Sequence, residues 1–221
     1  MYRGVAFDLD GTLVDSIADI GHALNVAFAS ESLPTFDVEQ VRRWVGDGPD
    51  GTIRRALAHL AITDADELLH IRLRAAYDRA ALAAPFDHGR LYPGIVDALT
   101  SLQNDRPLAV VTNKPTVLAR AVLEAAGILH FFRAVHGADR RELRKPEPVM
   151  LFAAARDLET PVAQLCMVGD SAADLGAAAR AGCSACFVEW GYGRAEWPAA
   201  TPASVPRATS ASALLKLLHR P

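Results

Sequence analysis

Cysteine is scarce, with three in 221 residues. That is too few for a disulfide scaffold. Cys183-x-x-Cys186 has the spacing of half a zinc site or of a redox pair, but no second Cys/His pair stands at metal spacing. Cys183 follows the glycine that ends a helical pattern instead of opening a helix, where the dipole would lower a thiol pKa. The pair reads as small packed hydrophobes. The seven histidines are scattered without ligand spacing and read as packing residues. No uninterrupted apolar stretch approaches the ~20 residues that a membrane span needs. Basic residues are not in surplus, with 23 Lys+Arg against 26 Asp+Glu. The chain therefore lacks the electrostatic footprint of a nucleic-acid binder, and no Lys/Arg block suits an anionic lipid surface. Aspartates and glycines interrupt the first fifteen residues, which speaks against a signal peptide. A soluble cytoplasmic protein is expected, with no nucleic-acid or membrane partner. Monomer and homodimer are both open, and there is no internal repeat.

Hydrophobic residues make up 51% of the chain, enough for a substantial core in one large domain or a domain with an insert. Short apolar runs at 2–9, 107–112, 134–136, 164–168 and 184–188 read as strands. Helical patterns over 116–126, 148–158 and 171–181 lie between the later ones, and Gly127 and Gly182 sit where left-handed helix ends are expected. Buried strands alternating with amphipathic helices predict an α/β fold with a parallel sheet covered on both faces. Between Ser16 and about His88 only helical patterns occur. Ser16 and Asp37 are candidate N-caps, and Thr63 with Asp66 resembles a capping box. This stretch reads as an inserted helical domain over 16–88, with 1–15 and 89–221 forming the sheet domain. The Pro/Ala/Ser/Thr-rich stretch 197–210 reads as a surface loop before a last helix, Ala211–Leu218.

The first apolar run ends in Asp8-Leu9-Asp10-Gly11-Thr12. Alternate residues of a strand share a face, so Asp8 and Asp10 are expected to converge at its C-terminal end. Two close carboxylates repel unless a cation or a shared proton relieves them. That suggests a hard divalent metal or two separate acid-base roles. A strand-ending turn explains the same residues equally well.

In open α/β sheets ligands bind beyond the carboxyl ends of the strands, so polar groups at the ends of these runs are the candidates. The second stops at Thr112-Asn113-Lys114, a hydroxyl and backbone N–H groups that suit an anion or a plain helix cap. Lys145 stands before Pro146 at the start of a helical pattern, where its ammonium is either fixed toward the site or solvated. The fourth run stops at Gly169-Asp170-Ser171, with Asp174 one helical turn on. These aspartates could alternatively just favour a helix N-terminus. Together the strand ends supply carboxylates for Mg²⁺ and hydroxyl, N–H and ammonium groups for phosphate oxygens.

These four segments, in this order, resemble the four motifs of the haloacid dehalogenase-like hydrolases. The resemblance spans most of the chain and implies a Rossmann-like parallel-sheet core with an inserted α-helical cap. Trp44-Val45-Gly46-Asp47-Gly48, Leu91-Tyr92-Pro93-Gly94, Val111-Thr112-Asn113-Lys114-Pro115 and Gly191-Tyr192-Gly193 resemble the phosphoglycolate phosphatase branch. By that resemblance Asp8 is the nucleophile that forms an aspartyl-phosphate, and Asp10 protonates the leaving oxygen and later activates water. Mg²⁺ is held by Asp8, the Asp10 carbonyl and Asp170, with Asp174 a direct or water-mediated ligand. Thr112 and the Asn113 N–H bind the phosphoryl group, Lys145 offsets charge between Asp8 and phosphate, and Leu9 and Gly11 offer backbone contacts. Family dehalogenases lack the second aspartate at the position of Asp10, so its presence favours phosphoryl chemistry. For the carboxylate of a small substrate, Arg42, Arg43 and the Gly46–Gly48 loop are the candidate readers, or else an exposed helix end and a turn.

The leading expectation is a Mg²⁺-dependent phosphomonoesterase that acts on a small-molecule phosphate ester, 2-phosphoglycolate first. The alternatives are a phosphatase of another sugar phosphate or of pyrophosphate, a β-phosphoglucomutase-like phosphomutase, and a non-catalytic binding protein that keeps the fold. The intact set of site residues counts against the last.

Overall fold

The computed structural model describes residues 2–62, 67–193 and 205–219. In chain order it contains β1 (Gly4–Phe7), β2 (Val14–Asp15), α1 (Ile17–Ser30), α2 (Val38–Arg42), α3 (Gly48–His59), α4 (Glu67–Ala83), β3 (Arg90–Leu91) and α5 (Ile95–Gln103). There follow β4 (Leu108–Thr112), α6 (Thr116–Ala125), β5 (Ala134–Gly137), α7 (Val149–Asp157), β6 (Leu165–Gly169), α8 (Ala172–Ala181), β7 (Ser184–Val188), β8 (Arg207–Ala208) and α9 (Ala211–Leu218).

The apolar runs pair as a six-stranded parallel sheet in the order β5-β4-β1-β6-β7-β8. Strand β1 is central because every one of its residues is buried and uncharged, so both of its edges must be covered by other strands. Val5, Phe7, Val110 and Val168 lie on one side of the sheet in a cluster with Leu99, Leu123 and Leu214. Ala6, Ala109, Val111 and Met167 lie in a second cluster with Leu151 and Ala178. The alternation of β1 side chains between two separate clusters is the physical signature of a sheet buried on both faces. Gly127 and Gly182 take the expected left-handed conformation, with φ of 72° and 71°.

Helices α1–α4 bury a third apolar cluster of their own, including Leu24, Phe28, Phe36, Val41, Ile53 and Leu73. No strand occurs between Ser16 and His88 among the described residues. Asp37 caps α2 through a reciprocal capping box with Gln40. Ser16 precedes α1 but makes no side-chain cap, because its hydroxyl donates to Asp10 instead. Thr63 and Asp66 lie outside the described residues.

Several elements differ from expectation. Strand β1 ends at Phe7, two residues short of the expected end, so Asp8 and Asp10 belong to the turn beyond it. A small antiparallel pair, β2 with β3, joins the two stems of the helical segment. Its two-residue strands are too short to give a period. Part of the expected C-terminal loop pairs with β7 as β8, since the outer edge of β7 needs hydrogen-bond partners. Residues 197–204 of that loop lie outside the described residues. Cys166 and Cys186 are buried, and burial pushes the Cys183 and Cys186 thiols up to about 11 and about 12, as packed hydrophobes require.

Candidate active site

A cleft open to solvent lies at the carboxyl end of β1, β4 and β6. The helical segment supplies the facing wall through Ile20, Val45, Gly46, Gly48, Pro49, Thr52 and Tyr77. From the sheet side come Asp8, Asp10, Thr112, Asn113, Lys114, Lys145, Asp170 and Ser171.

Asp8 and Asp10 do not converge as alternate residues of one strand. After Phe7 the chain turns, and the Leu9 carbonyl accepts the N–H groups of Thr12, Leu13 and Val14. This turn sends the two carboxylates to different partners. Asp8 joins Asp170 and Asp174, whose oxygens lie within 4.8 Å of one another. Asp10 instead accepts from Lys114 Nζ at 2.9 and 3.0 Å and from the Ser16 hydroxyl. The turn depends on Gly11, whose φ is +89°. A Cβ at Gly11 would also stand 2.5 Å from Asp170 Oδ2.

Lys145 is buried among acids. Its ammonium lies 2.8 Å from Asp8 Oδ1, 2.6 Å from Asp174 Oδ1 and 2.8 Å from the Val111 carbonyl. Burial alone would lower its pKa, but Asp174 and Asp8 outweigh burial and raise it, so the ammonium stays charged. Asn113 holds this lysine in place: its Oδ1 accepts Lys145 N–H at 2.7 Å, and its Nδ2 donates to the Lys145 carbonyl at 3.2 Å. The same Nδ2 donates to the Gly46 carbonyl at 2.9 Å, tying the helical segment to the sheet. Thr112 is buried and accepts Lys114 N–H.

Asp170 Oδ2 accepts the N–H groups of Tyr192 and Gly193 at 2.8 and 2.9 Å, and Oδ1 faces the Thr12 hydroxyl at 3.3 Å. Burial, then the nearby Asp8 and Asp174 charges, push its pKa up to about 7. Burial likewise raises Asp8 to about 6 against the pull of Lys145. Asp8 Oδ1 is buried and accepts no well-aligned hydrogen bond, although the ammonium is close. Clustered carboxylates whose charges disfavour one another fit a divalent cation. Asp8 and Asp170 suit direct ligation. Both oxygens of Asp174 are held at 2.6 Å, one by Lys145 and one by the Ser171 hydroxyl, against 3.3 Å for Thr12 on Asp170 Oδ1, which suits an indirect role for Asp174.

Not every expected residue faces the cleft. Leu9 packs its side chain in the core and has only its backbone to offer the site, while the Gly11 N–H donates to the Val14 carbonyl. Arg42 stacks its guanidinium 5.5 Å from the centre of the Tyr192 ring and pairs with Glu39, while Arg43 is exposed. Neither lines the cleft, whereas Gly46 and Gly48 do. Sequence reasoning missed the roles of Lys114, Ser16 and Thr12. Lys114 follows Thr112 and Asn113 at the end of the second apolar run, but nothing in the sequence marks Asp10 as its partner. The Gly191-Tyr192-Gly193 phrase is visible in the sequence, and the fold brings the Tyr192 and Gly193 N–H groups onto Asp170.

A model of haloacid dehalogenase-like hydrolases matches residues 2–182. The chain belongs to that family. It is an enzyme, a hydrolase, and its named relatives are phosphatases. It is 34% identical over 195 residues to a phosphoglycolate phosphatase of Yersinia pseudotuberculosis, covering 88% of this chain and 84% of the relative. It is 37% identical to the Chromobacterium violaceum protein of the same name, covering 86% of each. A crystal structure of a predicted phosphoglycolate phosphatase from Haemophilus somnus superposes with a TM-score of 0.87 at 30% identity, over 98% of this chain and 97% of that one. No described helix is long and apolar enough to cross a membrane.

Proposed function

We propose that this hydrolase is a cytoplasmic, Mg²⁺-dependent phosphomonoesterase that cleaves 2-phosphoglycolate to glycolate and phosphate through an aspartyl-phosphate on Asp8. The observation that carries the reading is the division of labour between two neighbouring aspartates. Asp8 lies with the carboxylate cluster and Lys145, while Asp10 lies apart, held by Lys114 and Ser16. That separation supports Asp8 as the attacking group and Asp10 as the proton carrier.

In the first half-reaction an Asp8 oxygen attacks phosphorus, the P–O bond to glycolate breaks, and Asp10 gives its proton to the departing oxygen. In the second, Asp10 takes a proton from water as that water attacks phosphorus, and the Asp8–phosphorus bond breaks. General acid-base assistance of this kind is worth roughly 10²–10⁴-fold. Lys145 orients Asp8 and offsets the charge gathering between carboxylate and phosphate. Thr112 and the Asn113 N–H bind phosphoryl oxygens. Asp8, the Asp10 carbonyl and Asp170 would hold Mg²⁺, with Asp174 in an indirect role. When bound, the ion polarises the phosphoryl group and screens its negative charge from Asp8. The helical segment over 16–88 acts as a cap that excludes water and faces the leaving group.

The test is phosphate release from a panel of small phosphate esters and pyrophosphate, with and without Mg²⁺. The reading expects Mg²⁺-dependent release with the highest kcat/KM for 2-phosphoglycolate. An isomeric sugar phosphate formed without free phosphate would instead identify a mutase.

A further inference from the structure

Among the described residues the wall of the cleft holds two cations, Lys114 and Lys145. Lys145 is committed. Its ammonium donates to Asp174 and to the Val111 carbonyl at 2.6 and 2.8 Å and lies 2.8 Å from Asp8 Oδ1. Lys114 is placed differently. Its side chain is buried, and its ammonium reaches the two oxygens of Asp10 at 2.9 and 3.0 Å. Asp19 lies near enough to feel the ammonium's charge but makes no hydrogen bond with it, and one carboxylate does not use all three donors, so Lys114 keeps a donor for a second anion.

The position of that donor follows from Asp10. Asp10 serves the oxygen that leaves phosphorus, so Lys114 stands one hydrogen bond farther along the leaving group. In a phosphate ester of a 2-hydroxy acid, a single carbon separates that oxygen from the carboxylate. A carboxylate so placed falls beside the ammonium. Among the described residues the facing wall, with Ile20, Val45, Pro49 and Tyr77, offers no second cation. The chain holds three lysines and twenty arginines, and two of the three lysines are in this cleft. Lysine gives a compact charge with three rotatable donors, suited to serving Asp10 and a ligand at once.

We propose that Lys114 is the specificity-determining residue, binding the carboxylate of a leaving group that carries its charge one carbon from the ester oxygen. The proposal rests on the phosphatase reading above and moves recognition from Arg42 and Arg43 to Lys114. A lysine that only orients Asp10 would affect every phosphate ester alike, whereas one that reads the carboxylate sets a preference among them.

The experiment compares kcat/KM for 2-phosphoglycolate and for ethyl phosphate, which keeps the ester but lacks the carboxylate. Wild type, Lys114→Met and Lys114→Gln are measured with Mg²⁺, and melting curves confirm that each variant folds. The wild type is expected to prefer 2-phosphoglycolate, and the ratio of the two kcat/KM values falls at least about tenfold in both variants. Equal losses for both esters, an unchanged ratio, or a wild type without preference would each overturn the proposal and leave the phosphatase reading standing. Absence of phosphate release from either ester by the wild type would overturn the phosphatase reading instead. Phosphoethanolamine, with an ammonium in place of the carboxylate, gives a check that needs no variant. Wild type is expected to turn it over at least about 100-fold less efficiently than 2-phosphoglycolate, and comparable turnover would overturn the assignment.

Discussion

Asp50 at the start of α3 and Arg144, the residue immediately before Lys145, form an ion pair between the helical segment and the sheet domain. Asp50 also accepts from Arg74 at 2.7 Å and faces His70 at 3.3 Å. One carboxylate of the helical segment therefore holds the loop that carries the buried lysine. Burial pushes Asp50 up, but Arg74 and Arg144 outweigh it and bring its pKa down to about 2. A carboxylate with a lowered folded pKa stabilises the fold above its unfolded pKa, and that stability is lost as pH falls through the folded value. Asp50→Asn should cost about 1–3 kcal/mol at pH 7, discounted for the pair's partial exposure. The difference between wild type and variant should shrink as pH falls from about 4 to about 2. Urea denaturation across that range checks both, and a constant difference would contradict it.

Gly48 tests the closeness of the two walls. Its φ is +72°, and a Cβ there would stand 2.5 Å from the Asn113 carbonyl oxygen. Gly48→Ala therefore strains the backbone, at roughly 1 kcal/mol or more, and pushes the helical segment away from Asn113. Loss of kcat/KM of about tenfold or more is expected, with a melting temperature lowered by only a few degrees. Steady-state kinetics beside a thermal melt separates these effects.

Lys145→Met removes the cation shared by Asp8 and Asp174, both buried. Stranding two buried carboxylates should cost about 3–5 kcal/mol of folding stability in metal-free protein. Turnover should fall by roughly 10²-fold or more even where the variant is folded. Chemical denaturation with EDTA, followed by kinetics at a temperature well below the melt, gives both numbers.

The carboxylate cluster predicts an unusual pH response. Burial holds Asp8 at about 6 and Asp170 at about 7. An acid with a raised folded pKa contributes stability that is fully present below its unfolded pKa and is lost as pH rises through the folded value. Metal-free protein should thus lose stability between about pH 4 and pH 7, as the cluster is forced to ionise. Mg²⁺ should raise the melting temperature more at pH 8 than at pH 5, because the ionised cluster binds it. Equal shifts at the two pH values would count against a cation held by these aspartates.

The sequence was most informative where burial alone decides structure. The runs that became β1, β4, β6 and β7 are apolar enough to demand cover on both faces, and this identified the sheet. Strand ends then pointed to Asp8, Thr112, Lys145 and Asp170. Geometry beyond the strands was not legible. The turn at Gly11 separates Asp8 from Asp10, a consequence of tertiary hydrogen bonds that no strand period contains. Lys114 was hidden because its partner lies 104 residues away in the chain. Arg42 looked like an anion reader from charge alone, yet Tyr192, distant in sequence, takes its guanidinium.

The most direct measurement is rapid acid quench of the Mg²⁺-loaded enzyme with 2-phosphoglycolate labelled in its phosphoryl group, followed by peptide mapping. The label should appear transiently on the peptide that contains Asp8, chase off with unlabelled substrate, and be absent from Asp8→Asn, whose turnover should fall at least about 10³-fold. Label on another residue, or Mg²⁺-dependent turnover that survives in Asp8→Asn, would contradict the assignment of Asp8 as the nucleophile.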